Sequence, residues 1–194
     1  MLLPSIGLKE IPKNAVLLVE EDLGSIKSTF VQEIAFGALK NDKKILYIST
    51  KRSREDVLDQ MSMLKMDGNC DGMVILGDFK DKVALMDLFH GNDPAAGHMY
   101  HIVDPSLNNI FDVDICIMDT FSSLFIEGDE HSMVESINSL INISRNNNTT
   151  FLLAADTGIL DERVERIMRS MMDGVVQFKT QYTGGKITRY INIP

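Results

Sequence analysis

Short apolar runs alternate with amphipathic segments along most of this chain, and that alternation is the tightest constraint on its fold. Ala15–Val19, Ile45–Ser49, Tyr100–Val103, Asp114–Met118 and Phe151–Ala155 read as strands, with Met73–Leu76 as a shorter apolar run. Their near-continuous apolarity is that of strands buried on both faces, not the in–out alternation of a one-sided sheet. Helical patterns lie between them. Lys27–Leu39 sets Phe30, Val31, Ile34, Ala35 and Ala38 at helical spacing. Ser53 is a good N-cap for a helix from Arg54 to about Lys65, with Val57, Leu58, Met61 and Leu64 on one face. A further helix is predicted over Asp81–Phe89, and a loop at Gly91-Asn92-Asp93-Pro94. Met133–Ser144 again carries Val134, Ile137, Leu140, Ile141 and Ser144 at helical spacing. Buried strands alternating with helices specify an α/β fold, a mostly parallel central sheet flanked by helices on both faces. The rhythm changes at the C-terminus. Gly174–Lys179 and Lys186–Ile193 read as strands separated by Thr183-Gly184-Gly185, an antiparallel hairpin at the sheet edge.

The 194 residues, without an internal repeat or linker, suit one domain over 1–194 with a substantial core. A net charge of -9 argues against non-specific nucleic-acid binding as the main task. No apolar segment reaches the roughly 18 residues of a membrane span, and the start of the chain lacks a signal-peptide pattern. A cytoplasmic location is the expectation. Cys70 and Cys116 do not suggest a disulfide framework, and Cys116 reads as a reduced core residue. His90, His98, His101 and His131 lack metal-ligand spacing, and Ser28, Ser122 and Ser123 have no histidine partner that would argue a hydrolase triad.

The first strand runs into Glu20-Glu21-Asp22-Leu23-Gly24-Ser25-Ile26-Lys27-Ser28-Thr29, and a helix leaves it. This is the place and order of a phosphate-binding loop, whose intact form is Gly, four residues, Gly, Lys, Ser or Thr. Such a loop works because successive backbone N–H groups and a helix N-terminus converge on one anion. Here Glu21 and Ile26 replace both motif glycines, while Lys27 and Ser28 remain. The candidate phosphate contacts are Gly24, Ser25, Ile26, Lys27, Ser28 and Thr29. A β-branched Ile26 is a poor occupant of a positive φ. Glu20, Glu21 and Asp22 add charge of the wrong sign. Each carboxylate within ~4 Å of a phosphate charge costs about 1–4 kcal/mol, less if it turns outward.

The strand Asp114–Met118 ends in Asp119. An apolar strand ending in an acid matches the Walker B pattern, in which the aspartate orients Mg2+ and meets the loop hydroxyl, here Ser28. Ser28 and Asp119 are therefore the candidate metal residues. Loop and acid in this order point to a P-loop fold.

Together these segments resemble the RecA superfamily and, within it, the KaiC-like branch, which includes circadian-clock ATPases, the archaellum accessory ATPase and many archaeal proteins. The resemblance covers nearly the whole chain. Ile11–Val19 sits where the family has its lead-in and first strand. Ile45–Ser49 matches the second strand. Asp119-Thr120-Phe121-Ser122-Ser123-Leu124 is similar to the family's Asp-Ser-hydrophobic-Ser-x-Leu, and Met172-Asp173-Gly174-Val175-Val176 to its Ala-Asp-Gly-Val-Ile. The resemblance implies a RecA-like fold and ATP or ADP with Mg2+ as ligands.

The departures bear on activity. Active KaiC-like ATPases carry a Glu pair after the second strand, one of which polarises the attacking water. This sequence has Lys51-Arg52 there, and neither side chain can act as that base. Glu55, the nearest acid, stands on the following helix. Lys51 and Arg52, at a sheet edge where open α/β folds bind ligands, are possible anion contacts. The family's final strand carries a Lys-x-Arg pair that reaches a neighbour's nucleotide, whereas here only Lys186 and Arg189 lie near Ile191-Asn192-Ile193-Pro194. Asp156-Thr157-Gly158 falls where the family senses the γ-phosphate, and the simplest role for Asp156 is a turn or helix cap. Three readings follow. One is a regulatory nucleotide-binding protein with impaired or absent hydrolysis. Another is a pseudo-ATPase that binds no nucleotide and serves as a protein-interaction module, through other proteins or self-association. The third is an active ATPase in recombination or signalling, which the missing glutamate disfavours.

Overall fold

A computed structural model describes residues 11–22, 26–66, 71–79, 82–95, 107, 109–128 and 130–193. The strand expected over Tyr100–Val103 lies outside the described residues, as do Gly24, Ser25, Cys70, His98 and His101. The chain runs β1 (Val16–Glu21), α1 (Ile26–Leu39), β2 (Ile45–Ser49), α2 (Arg54–Met63), β3 (Met73–Leu76), α3 (Lys82–Asn92), β4 (Ile115–Asp119), a short 3-10 helix (Phe121–Phe125), α4 (Glu130–Asn147), β5 (Thr150–Asp156), α5 (Glu162–Ser170), β6 (Gly174–Thr183) and β7 (Lys186–Asn192).

The strands form one seven-stranded sheet in the order β3-β2-β4-β5-β1-β6-β7. Every pairing is parallel except β6 with β7, the expected C-terminal hairpin. Side chains alternate across the sheet, and each face meets its own helices. Leu46, Ile48, Cys116, Met118 and Leu153 join a cluster with Leu85 and Phe89 of α3 and Ile137 and Leu140 of α4. Ile45, Tyr47, Ile115, Ile117 and Leu152 point the other way, onto Phe30, Val31 and Ile34 of α1 and Val57 and Met61 of α2. Burial on both faces explains why the central strands are apolar without alternation.

Local signals set several boundaries. Ser53 caps α2 in a capping box: its Oγ accepts the Asp56 N–H at 3.1 Å, and Asp56 Oδ2 accepts the Ser53 N–H at 3.2 Å. Thr183 pairs with Lys186, and Gly184 and Gly185 take φ of 55° and 79°. Two consecutive positive-φ residues are what a two-residue hairpin turn requires. This short turn lets β6 run to Thr183, beyond the expected end at Lys179.

Three elements differ from expectation. α3 continues through Gly91 and Asn92, where a loop is predicted. Leu85, Leu88 and Phe89 anchor it in the core, and the Asn92 amide donates to the Leu88 carbonyl at 2.9 Å. α4 runs past both ends of the predicted segment. α5 has no counterpart in the sequence reading. Its charged sequence hides an apolar stripe of Val164, Ile167 and Met168, and Asp161 caps it by accepting the Arg163 N–H. Among the described residues, no helix is long and apolar enough to cross a membrane.

Candidate phosphate site

Parallel pairing brings the carboxyl ends of β1, β2, β4 and β5 to one edge of the sheet. Glu21 is in register with Asp156, and Ser49 with Asp119. Ligands of open α/β sheets bind along such an edge. Every described residue of the sequence-predicted site lies in the first turn of α1, at the end of β4 or just after β2.

α1 begins at Ile26, so Ile26–Thr29 form its first turn. Ile26 is the first residue of the helix; it is half-buried and packs against the cluster that holds Phe30 and Val31. Lys27 is buried, 4% exposed, and both of its donor groups meet carboxylates of this chain. Its backbone N–H donates to Glu21 Oε2 at 3.1 Å. Its Nζ pairs with Asp156 Oδ1. The Glu21 side chain has turned inward, 2% exposed, and sets a negative charge on an N–H at the start of α1, where a helix favours an anion. In an intact loop that is a phosphate's place.

The other two loop acids are engaged elsewhere. Glu20 is fully buried and accepts Arg169 Nε at 2.9 Å on each oxygen and Gln177 Nε2 at 3.0 Å. Arg169 Nη2 also donates to Glu165 Oε2 at 2.8 Å, and Glu165 Oε1 accepts the Gly158 N–H at 2.6 Å. Burial works against the Arg169 charge, but Glu20 and Glu165 outweigh it and hold the guanidinium pKa above its usual value. Asp22 is exposed and accepts the Thr157 hydroxyl.

Ser28 and Asp119 are brought together as the sequence suggests: Ser28 Oγ donates to Asp119 Oδ1 at 2.9 Å. The second oxygen is also taken. Tyr47 OH donates to Asp119 Oδ2 at 2.8 Å, and Arg52 Nη1 stands 3.9 Å from the same atom. Tyr47 is fully buried on β2. Burial, then the Asp119 charge and their hydrogen bond, push its phenol pKa well up. Arg52 is anchored twice more, by its backbone N–H to Ser49 Oγ at 3.0 Å and its Nη1 to Gln60 Oε1. Gln60 Oε1 also accepts Gln32 Nε2 at 2.9 Å.

Lys51 is half-exposed and lies 3.5 Å from Asp156 Oδ2. The predicted anion contacts therefore diverge, Lys51 towards Asp156 and Arg52 towards Asp119. Glu55 is exposed on α2 and does not join the cluster. Thr120, just after Asp119, holds φ 76°, unusual for a β-branched residue. The turn it starts ties β4 to β5, since Ser122 Oγ accepts the Asp156 N–H at 2.9 Å. Sequence reasoning named Lys27, Ser28, Asp119, Lys51 and Arg52 as candidates, and the structure brings them to this edge. It missed Tyr47, which looks like one more apolar strand residue, and the pairing of Asp156 with Lys27. The register of β1 and β5 produces that pairing, and no local spacing signals it.

The cluster is balanced: Lys27, Lys51 and Arg52 face Glu21, Asp119 and Asp156. A polyphosphate that takes the usual place at Lys27 must displace a carboxylate there. Among the described residues, no group of three or more His, Cys, Asp or Glu side chains is placed to hold a metal ion.

No curated protein matches the sequence. Solved structures with the same fold include the flagellar accessory protein FlaH from Methanocaldococcus jannaschii. The likeness covers 94% of this chain and 79% of that one, with a TM-score of 0.72 and 17% identity. At that identity it establishes the fold alone, a RecA-like P-loop fold. A family model described as "ATPase: KaiC" matches residues 6–194. A KaiC-type domain implies nucleotide and Mg2+ as its ligands in general. With nearly the whole sequence inside that match, the chain belongs to the KaiC family of ATPases.

Proposed function

We propose that this chain is a KaiC-like ATPase homologue without ATP hydrolysis, its phosphate site closed by its own carboxylates, that serves as a regulatory protein-interaction module. The observation that carries this reading is the double engagement of Lys27, by Glu21 at its N–H and by Asp156 at its Nζ. In this reading Glu21 is an internal stand-in for the phosphate, tethered to the strand it follows. A free anion competes with a group whose effective concentration is high. The loss of hydrolysis rests on Lys51 and Arg52, which stand where a base is needed and pair with Asp156 and Asp119.

A second reading, a nucleotide-gated switch, is favoured by the retained Ser28–Asp119 contact. Thermal unfolding with millimolar Mg-ATP or Mg-ADP separates the two. A ligand at a hundred times its Kd stabilises by about 2.7 kcal/mol, a rise in Tm of about 5–11 °C for a chain of this size. The proposal expects no shift for wild type and a shift for Glu21→Gly. A wild-type shift that Lys27→Ala abolishes would replace the pseudo-ATPase by the switch. Phosphate release well above the Lys27→Ala control would overturn the loss of hydrolysis.

A further inference from the structure

A KaiC-type domain implies a divalent cation between Ser28 and Asp119, so the donor set there can be tested for its fit to one. Mg2+ takes six oxygens in near-octahedral geometry and is usually held through one or two carboxylates, waters and substrate phosphates. Among the described residues, Asp119 is the carboxylate hydrogen-bonded to Ser28, and it is 2% exposed. One of its oxygens accepts Ser28 Oγ, which a metal-bound hydroxyl could also provide. The other accepts the Tyr47 hydroxyl and faces the Arg52 guanidinium. Tyr47 is fully buried on a central strand and cannot move aside without disturbing the sheet. Arg52 is held by Ser49 and Gln60, and its charge is permanent. The carboxylate that should draw a dication is neutralised by a cation built into the chain, which would repel that dication. The residues present do not fit the metal.

We infer that Arg52 holds the place of the divalent cation and makes the Ser28–Asp119 site metal-independent. Arg52 is then a positioning residue. It balances Asp119, and Asp119 in turn orients Ser28 at the start of α1 and Tyr47 on β2. This holds whether or not a nucleotide binds, so its test uses none.

The probe is Mn2+, followed by electron paramagnetic resonance and by thermal unfolding, with EDTA as the reverse condition. Wild type should show no Mn2+ binding that Asp119→Asn removes, and the same Tm in Mn2+ and in EDTA. Arg52→Gln should bind Mn2+ at least about tenfold more tightly than wild type. Arg52→Lys, which keeps the charge, should remain silent. The double variant Arg52→Gln/Asp119→Asn should lose what Arg52→Gln gained. Asp119-dependent Mn2+ binding by wild type overturns the inference, and that measurement needs no variant of Arg52. A folded Arg52→Gln that gains no Mn2+ affinity overturns it as well.

Discussion

Removing Arg169 should weaken the fold far more than its half-buried position suggests. Its Nε donates to both oxygens of Glu20, which is fully buried near the carboxyl end of β1, and its Nη2 holds Glu165. In Arg169→Met the aliphatic stem is retained, but among the described residues Glu20 keeps only Gln177 as a side-chain partner. An uncompensated buried charge of this kind costs about 3–5 kcal/mol. Because the Arg169 side chain is itself 28% exposed, solvent screening places the expected loss near the lower end, about 3 kcal/mol. For a chain of this length that lowers Tm by about 6–12 °C. Urea unfolding, read as a change in midpoint at unchanged slope, measures it. Glu20→Gln supplies the control. In the double variant Arg169→Met/Glu20→Gln no charge is stranded at residue 20, while Glu165 loses Arg169 just as in the single variant, so the two losses should fall short of additive by more than about 1 kcal/mol. A loss below about 1 kcal/mol for Arg169→Met, or strict additivity, refutes the argument that Glu20 is a buried charge held by Arg169.

Tyr47 should stay protonated in the native protein beyond the ordinary phenol range. Its folded pKa is raised above the ordinary phenol value of 10.0, so its share of stability is complete below pH 10.0 and is lost as pH rises through the folded value. The stability difference between wild type and Tyr47→Phe should therefore shrink above pH 10.0, and native tyrosinate absorbance should lack one residue until unfolding. Gly77→Ala should cost about 1–3 kcal/mol in urea unfolding, by overpacking. Its Cβ would lie 2.3 Å from the Arg54 nitrogen and 2.6 Å from the Ser53 carbonyl carbon, backbone atoms at the start of α2 that cannot turn away.

The fold was legible where one physical signal acted alone. The buried strands among the described residues, the Ser53 N-cap and the Gly184-Gly185 turn follow from local pattern and local chemistry. The extension of α3 through Gly91 was not legible, because the packing of Leu88 and Phe89 overrides the loop preference of the sequence. α5 was hidden because its apolar stripe is narrow and flanked by charges. At the site, Lys27, Ser28 and Asp119 could be named from spacing. Their partners could not. Glu21 turning inward while Glu20 turns to Arg169 is a choice between strand faces, made by the register of β1 against β5 and β6.

The strand order also has a consequence for how the chain is made. β1 lies between β5 and β6, both of which follow it late in the sequence; Val16 waits for Phe151 and Leu17 for Gly174. During synthesis, β1 emerges before both of the strands it pairs with and stays bare on both edges until β5 has followed it. Pairings so distant in sequence form slowly, and an apolar strand with two open edges is prone to pair with other chains. A chain stopped within α4 would expose β1 in this way, and its fate would be aggregation.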